Sequence, residues 1–118
     1  MILEVVRKFN PIYENVLLSK VVKFNKEYKV TLKGRGYKHC LISNRIHASN
    51  RIYFNFSYRH VKIFQECFDE ECIQKCKNDS TCKKSEDMSS HVYSTLFKEH
   101  VGKKIASQIS RKIHFITQ

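Results

Sequence analysis

Four residues limit what this chain can fold into more than any other feature: Cys40, His47, Cys67 and Cys72, spaced as C-x6-H-x19-C-x4-C. Zinc favours a tetrahedron of thiolate and imidazole ligands, commonly delivered as two close pairs on turns. Cys40 with His47 makes the first pair, and Cys67 with Cys72 the second. The stretch between them has a pattern of its own. Ile52, Phe54 and Phe56 alternate with Tyr53, Asn55 and Ser57, a turn follows at Tyr58-Arg59-His60, and Val61 and Ile63 alternate with Lys62 and Phe64 on the return. A period of two with one apolar face predicts a β-hairpin. A hairpin brings the chain back near to where it left, so the two pairs converge. Cys76, Cys82, His39 and His60 compete as ligands. Cys76 lies close enough to Cys72 to replace it, whereas His39 and Cys40 are adjacent on an extended segment and point to opposite faces.

Five cysteines are an odd number, and a framework of disulfides alone would leave one thiol over. The N-terminal run Met1-Ile-Leu-Glu-Val-Val-Arg-Lys is interrupted by Glu4, Arg7 and Lys8, so it lacks the apolar stretch of an export signal. The expectation is therefore an intracellular chain whose thiols stay reduced and ligate metal rather than pair as cystines. The sequons at Asn55 and Asn78 are then chance matches. A chain of 118 residues is expected to form a single domain, residues 1–118, with a core small enough to lean on a metal staple.

Charge narrows the partners. Twenty-two Lys and Arg oppose 11 Asp and Glu, a formal net charge of +11, which attracts nucleic acid, nucleotides or anionic surfaces. No apolar stretch approaches the roughly 20 residues that a membrane-spanning helix needs, and no membrane partner is expected.

Around the hairpin the reading is coarser. Ile2, Val5, Val6 and Phe9 recur at helical spacing, predicting a helix over 2–9 that Pro11 ends. Residues 15–24 are apolar and suit helix or strand equally. Tyr28, Val30 and Leu32 alternate with lysine and threonine as in a half-buried strand, and Gly34-Arg35-Gly36 makes a basic turn toward Cys40. Residues 73–88 are polar enough to be a loop. Beyond them Val92, Leu96, Val101, Ile105, Ile109 and Ile113 predict helix over 90–116, with Ser89 or Ser90 as N-cap and a break at Gly102. The fold class that follows is α+β: a small zinc-stapled antiparallel hairpin or sheet with flanking helices.

The stretch from Cys40 through Arg45, His47, Ser49 and Asn50, then a hairpin ending in Gln65-Glu66-Cys67, then Cys72, resembles the zinc-binding domain of the PrimPol and herpesvirus helicase–primase primase-subunit family. Ligand order, ligand spacing and the R-x-H-x-S-N core agree together, over about residues 28–73. The resemblance implies one structural zinc on Cys40, His47, Cys67 and Cys72 and a role in DNA primer synthesis. There the module holds the template strand or the 5′-triphosphate of the initiating nucleotide, at the site of DNA replication. In that family a separate polymerase core does the chemistry, so a catalytic primase core or replication subunit is the implied partner.

Elementary chemistry suits that task. Arg45, Arg51, Lys38 and Arg35 offer cations for phosphate, and Tyr53 and Tyr58 offer rings for bases. Ser49 and Asn50 suit a turn that fixes His47 or a further polar contact. No catalytic residue is expected: the only acidic cluster, Asp69-Glu70-Glu71, lies between two zinc ligands and reads as a solvated loop, not a two-metal site. Four protein ligands also leave no open position for a zinc-bound water. Two rival readings remain: a general zinc-dependent single-strand-binding or regulatory protein without a priming role, and an adaptor whose charge serves solubility.

Overall fold

The computed structural model describes residues 1–49 and 52–101, and it is α+β. Two compact units divide the chain, Met1–Met88 and a second that begins at Ser89. The first is built on a five-stranded antiparallel sheet of β1 (Val16–Phe24), β2 (Glu27–Gly34), β5 (Ile52–Ser57), β6 (Lys62–Cys67) and β7 (Ser85–Asp87), in that spatial order. Two short strands, β3 (His39–Cys40) and β4 (Arg45–Ile46), form a separate ladder. The expected hairpin is thus the centre of a larger sheet.

The helix predicted over 2–9 is α1 (Ile2–Phe9), with Glu4 in its first turn and Arg7 and Lys8 in its last, each sign matching the helix dipole. Asn10 precedes Pro11 and is extended, as steric clash with a proline ring demands. Its side chain then accepts from the Ile12 N–H at 3.0 Å, capping a 3-10 turn, Pro11–Tyr13. Arg7 donates to the Val16 carbonyl at 3.1 Å and so fastens α1 to the start of β1.

Residues 15–24, ambiguous in sequence, are strand because β2 offers them a ladder along its whole length, from Val16 opposite Gly34 to Phe24 opposite Glu27. The chain reverses at Asn25, whose left-handed φ of 53° suits an asparagine. Inward-facing Val16, Val30, Leu32, Ile52, Phe54, Phe56 and Ile63 form the core of the sheet. Phe9 and Tyr13 close it, their rings meeting Phe54 edge-on at centroid distances of 4.9 and 5.5 Å.

Three local expectations need correction. Val61 is not a strand residue: it ends the β5–β6 turn with a left-handed φ of 52°, and its carbonyl accepts from the Met88 N–H at 2.8 Å. The polar segment 73–88 is not a loop. It holds most of α2 (Glu70–Asn78), a 3-10 turn (Ser80–Cys82) and β7, which adds to the free edge of β6. Polarity misled because a helix and an edge strand can each be wet on most sides. Asp69-Glu70-Glu71 likewise starts that helix: Asp69 is the N-cap, accepting from the Glu71 N–H at 3.0 Å.

In the second unit, α3 (Ser90–Leu96) starts at the Ser89 cap, which accepts from the Val92 N–H at 3.2 Å. The rest of the helix predicted over 90–116, from Gly102 on, lies outside the described residues. No described helix is long and apolar enough to cross a membrane.

Candidate metal centre

Each of the four candidate ligands sits on a different piece of chain, and the fold gives each a reason to be there. Cys40 is the second residue of β3, paired with Arg45 of β4 across a turn in which Asn44 takes a left-handed φ of 54°. His47 follows β4, its N–H donating to the Lys38 carbonyl at 3.0 Å. Cys67 ends β6 on the inner face, in register with Ile52. Cys72 lies in the first turn of α2 and is that helix's buried residue.

All four are buried, and one donor atom from each lies within 4.8 Å of all the others. Cys40 Sγ is 3.9 Å from Cys72 Sγ; His47 Nε2 is 3.4 Å from Cys67 Sγ and 3.8 Å from Cys72 Sγ. Three thiols and an imidazole turned toward one point can hold a metal ion. Burial disfavours charged sulfur without one. The Cys67 thiol is pushed up to about 12, chiefly by desolvation, with the Asp69 N–H bond to its sulfur acting the other way. Burial raises the Cys72 thiol too, with the neighbouring Ser43 side chain acting the other way. A bound cation would invert this balance and draw off the protons.

Around the donors lies a second layer. Asp69 Oδ2 stands 3.7 Å from His47 Nδ1, so one carboxylate caps α2 and sits behind the imidazole whose Nε2 faces the thiols. That disposition leaves Nε2 facing the thiols, the side on which a metal would bind, with a carboxylate on the Nδ1 side. Gln65, wholly buried, accepts from the Leu41 N–H at 2.7 Å and donates to the Tyr13 hydroxyl, which in turn donates to the His39 carbonyl. Sheet, 3-10 turn and β3 loop are thereby tied together in one satisfied polar network. Lys75 reaches from α2 to the Ile42 carbonyl at 2.9 Å. Asp69 escaped the sequence reading, although an Asp followed by two Glu is a legible helix start; Gln65 stood out only as part of the resemblance.

None of the competing ligands joins the cluster among the described residues. Cys76 and Cys82 form a disulfide between α2 and the following 3-10 turn, with Cα atoms 5.4 Å apart. This corrects the expectation that every thiol stays reduced: six residues of separation and a helix end that turns back bring just these two together. His39 is half-buried on β3, and His60 lies in the β5–β6 turn against Phe64.

The residues expected to meet phosphate or base fall into two places. Arg35, Lys38 and Arg45 border the two-stranded ladder. Arg35 is exposed in the glycine turn, Lys38 Nζ stands 5.4 Å from the Tyr37 ring centre, and Arg45 pairs with Glu71 at 3.0 Å. Ser49 is exposed just after His47, while Asn50 and Arg51 lie outside the described residues. Tyr53 is elsewhere, on the outer face of the sheet, stacked on Phe68 with centroids 4.5 Å apart. Burial and the neighbouring Glu66 raise its hydroxyl well above the ordinary range. Tyr58 is half-buried in the β5–β6 turn.

Compared with protein-family models, with curated proteins and with solved structures, the chain matches none.

Proposed function

We propose that the centre holds one structural zinc ion and that the chain is an accessory module of DNA priming, of the PrimPol and herpesvirus primase-subunit kind. Its task on this reading is to bind single-stranded template or the 5′-triphosphate of the initiating nucleotide. The donor spacing carries the metal assignment. Zinc bonds of about 2.3 Å to sulfur and 2.0–2.1 Å to nitrogen give tetrahedral edges of roughly 3.8 Å between sulfurs and 3.6 Å between sulfur and nitrogen. The observed 3.9, 3.4 and 3.8 Å fit that frame. Cys3His is a ligand set of structural zinc, and all four positions are taken by protein. Support for the priming role comes from the residues of the resemblance, Arg45, His47, Ser49 and Asn50, and from the basic charge.

Native mass spectrometry tests the metal, and binding of matched oligonucleotides with a 5′-triphosphate or a 5′-hydroxyl tests the role. One zinc per chain and tighter binding of the triphosphate are expected. Equal binding of both ends would favour the second reading, a zinc-dependent single-strand binder without a priming role. The open aromatic and basic face of the sheet favours that reading. A metal-free folded protein would remove the zinc assignment.

A further inference from the structure

We infer that the outer face of the five-stranded sheet is the bed for a single nucleic-acid strand, with bases stacking on Tyr53 and Phe68 and phosphates lying along Lys20, Lys29 and Lys33. This rests on the single-strand reading above and assigns the strand a surface apart from the arginines and lysine of the metal loops.

Strand register decides which side chains share this face. The core residues of β2, β5 and β6 point to the side that α1 and the 3-10 turn cover. The alternate residues, Lys29, Thr31 and Lys33 on β2, Tyr53 and Asn55 on β5, and Phe64 and Glu66 on β6, point to the other. Past the irregularity between Leu18 and Lys20, β1 brings Lys20, Val22 and Phe24 to the same side, opposite Thr31, Lys29 and Glu27. At one end of this face Tyr53, Glu66 and Phe68 share a pocket with Ile73 and Lys77 of α2. Phe24 is 68% exposed and Phe68 47%, so large rings stand in solvent.

Three observations identify the occupant. The first is the platform: Tyr53 and Phe68 are stacked, and Lys29 Nζ lies 4.5 and 4.6 Å from their ring centres. Aromatic rings beside a cation are how single strands are gripped without regard to sequence, because every base has a π face and every link a phosphate. The second is charge. Lys62 and Lys83 are paired with Asp87 and Glu66, but Lys20, Lys29 and Lys33 have no carboxylate partner among the described residues. The third is a groove of about 450 Å³ between Val22, Phe24, Glu27, Lys29, Tyr53, Asn55 and Glu66. The buried Oδ1 of Asn55 has no hydrogen-bond partner there. Asn55 and Glu27 present acceptors there, which repel phosphate but take the amino and imino hydrogens of bases, while Glu66 is held by Lys83. Bases in the groove and phosphates over the lysines satisfy both sets.

Fluorescence anisotropy of the full-length, metal-loaded chain with a labelled single-stranded DNA bearing a 5′-hydroxyl tests this surface without probing a triphosphate site. Tyr53→Leu and Phe68→Ala should each weaken binding roughly 5- to 100-fold, Tyr53→Phe should restore it, and Lys29→Gln should shallow the salt dependence by about one ion. Lys8→Ala, on α1 at the covered side of the sheet, should change this affinity less than twofold. Phe68→Ala alters an exposed ring, so its effect is readable even where Tyr53→Leu disturbs folding. Wild-type binding that survives both ring variants but is lost in Arg35→Ala or Arg45→Ala would overturn this surface and leave the single-strand reading intact. Ring variants that change only the oligomeric state would overturn it in favour of a protein interface. Failure of the wild type to bind would overturn surface and reading together.

Discussion

Asp69 has two duties that can be separated one atom at a time. One oxygen caps α2 and the other stands behind His47. Asp69→Asn keeps the cap acceptor and removes the charge, so metal affinity should fall about 10- to 100-fold with little change in the melting of the metal-free chain. Asp69→Ala should lose the same affinity and also about 1 kcal/mol of stability. Competition with a chromogenic chelator, together with thermal melts, distinguishes the two. The cysteines divide as clearly. Cys67→Ser and Cys72→Ser should each abolish stoichiometric metal, whereas Cys76→Ser should retain it, because Cys76 is paired with Cys82 outside the cluster. Val61 makes the opposite kind of prediction. A β-branched residue at φ 52° is strained, and Val61→Asn should stabilise the fold by about 1 kcal/mol, seen as a higher melting temperature.

Between the residues and the whole lie the elements, and here sequence reading succeeded where pattern and burial agree. The β5–β6 hairpin was legible because one of its faces is wholly buried and the other is not, which writes a period of two into the sequence. α1 was legible for the corresponding reason at a period of 3.6, with Pro11 as a stop. The four candidate metal donors were legible from spacing together with the resemblance, which chose them over Cys76, Cys82, His39 and His60. What stayed hidden is what depends on a distant partner. β1 is strand only because β2 lies beside it, and β7 is strand only because it meets the edge of β6. α2 buries Cys72 and otherwise faces outward, so hydrophobic patterning carries almost no trace of it. The glycine turn gives an element-scale prediction. Gly36 has φ +90°, and a Cβ there would stand 2.4 Å from the Ile12 carbonyl. Gly36→Ala should therefore cost about 2 kcal/mol or more, read from chemical denaturation, by forcing apart the turn before β3 and the 3-10 turn after α1.

At the scale of the whole first unit, two cores share one sheet. One is hydrocarbon, centred on Phe54 with Phe9 and Tyr13; the other is the polar cluster at the Cys67 end of β6. Gln65 and the Tyr13 hydroxyl link them. Chelation should therefore release the β3–β4 loops and the start of α2 first, leaving protection of β2, β5 and β6 amides in hydrogen exchange largely in place. Protons couple to the same event. A thiol raised from 9.0 to about 12 binds its proton more tightly in the folded, metal-free chain than in the unfolded one. That contribution to stability is complete below about pH 9 and is lost as the pH climbs toward 12. Metal uptake runs the other way: it expels protons, so affinity should fall as the solution is acidified, measurable by calorimetry in buffers of different ionisation enthalpy.

Phe68 sits between Cys67, whose sulfur faces the cluster, and Asp69, which braces His47, while its ring rests on Tyr53 at the opposite surface. Two residues of chain therefore separate the inside of the molecule from the place where a base would land. On this arrangement the ion acts as a licence. Emptying the cluster would slacken the chain on either side of Phe68, and on the proposed surface the grip on a strand would weaken with it. Scarcity of metal would then silence the protein without any change in its abundance, and resupply would restore it without new synthesis.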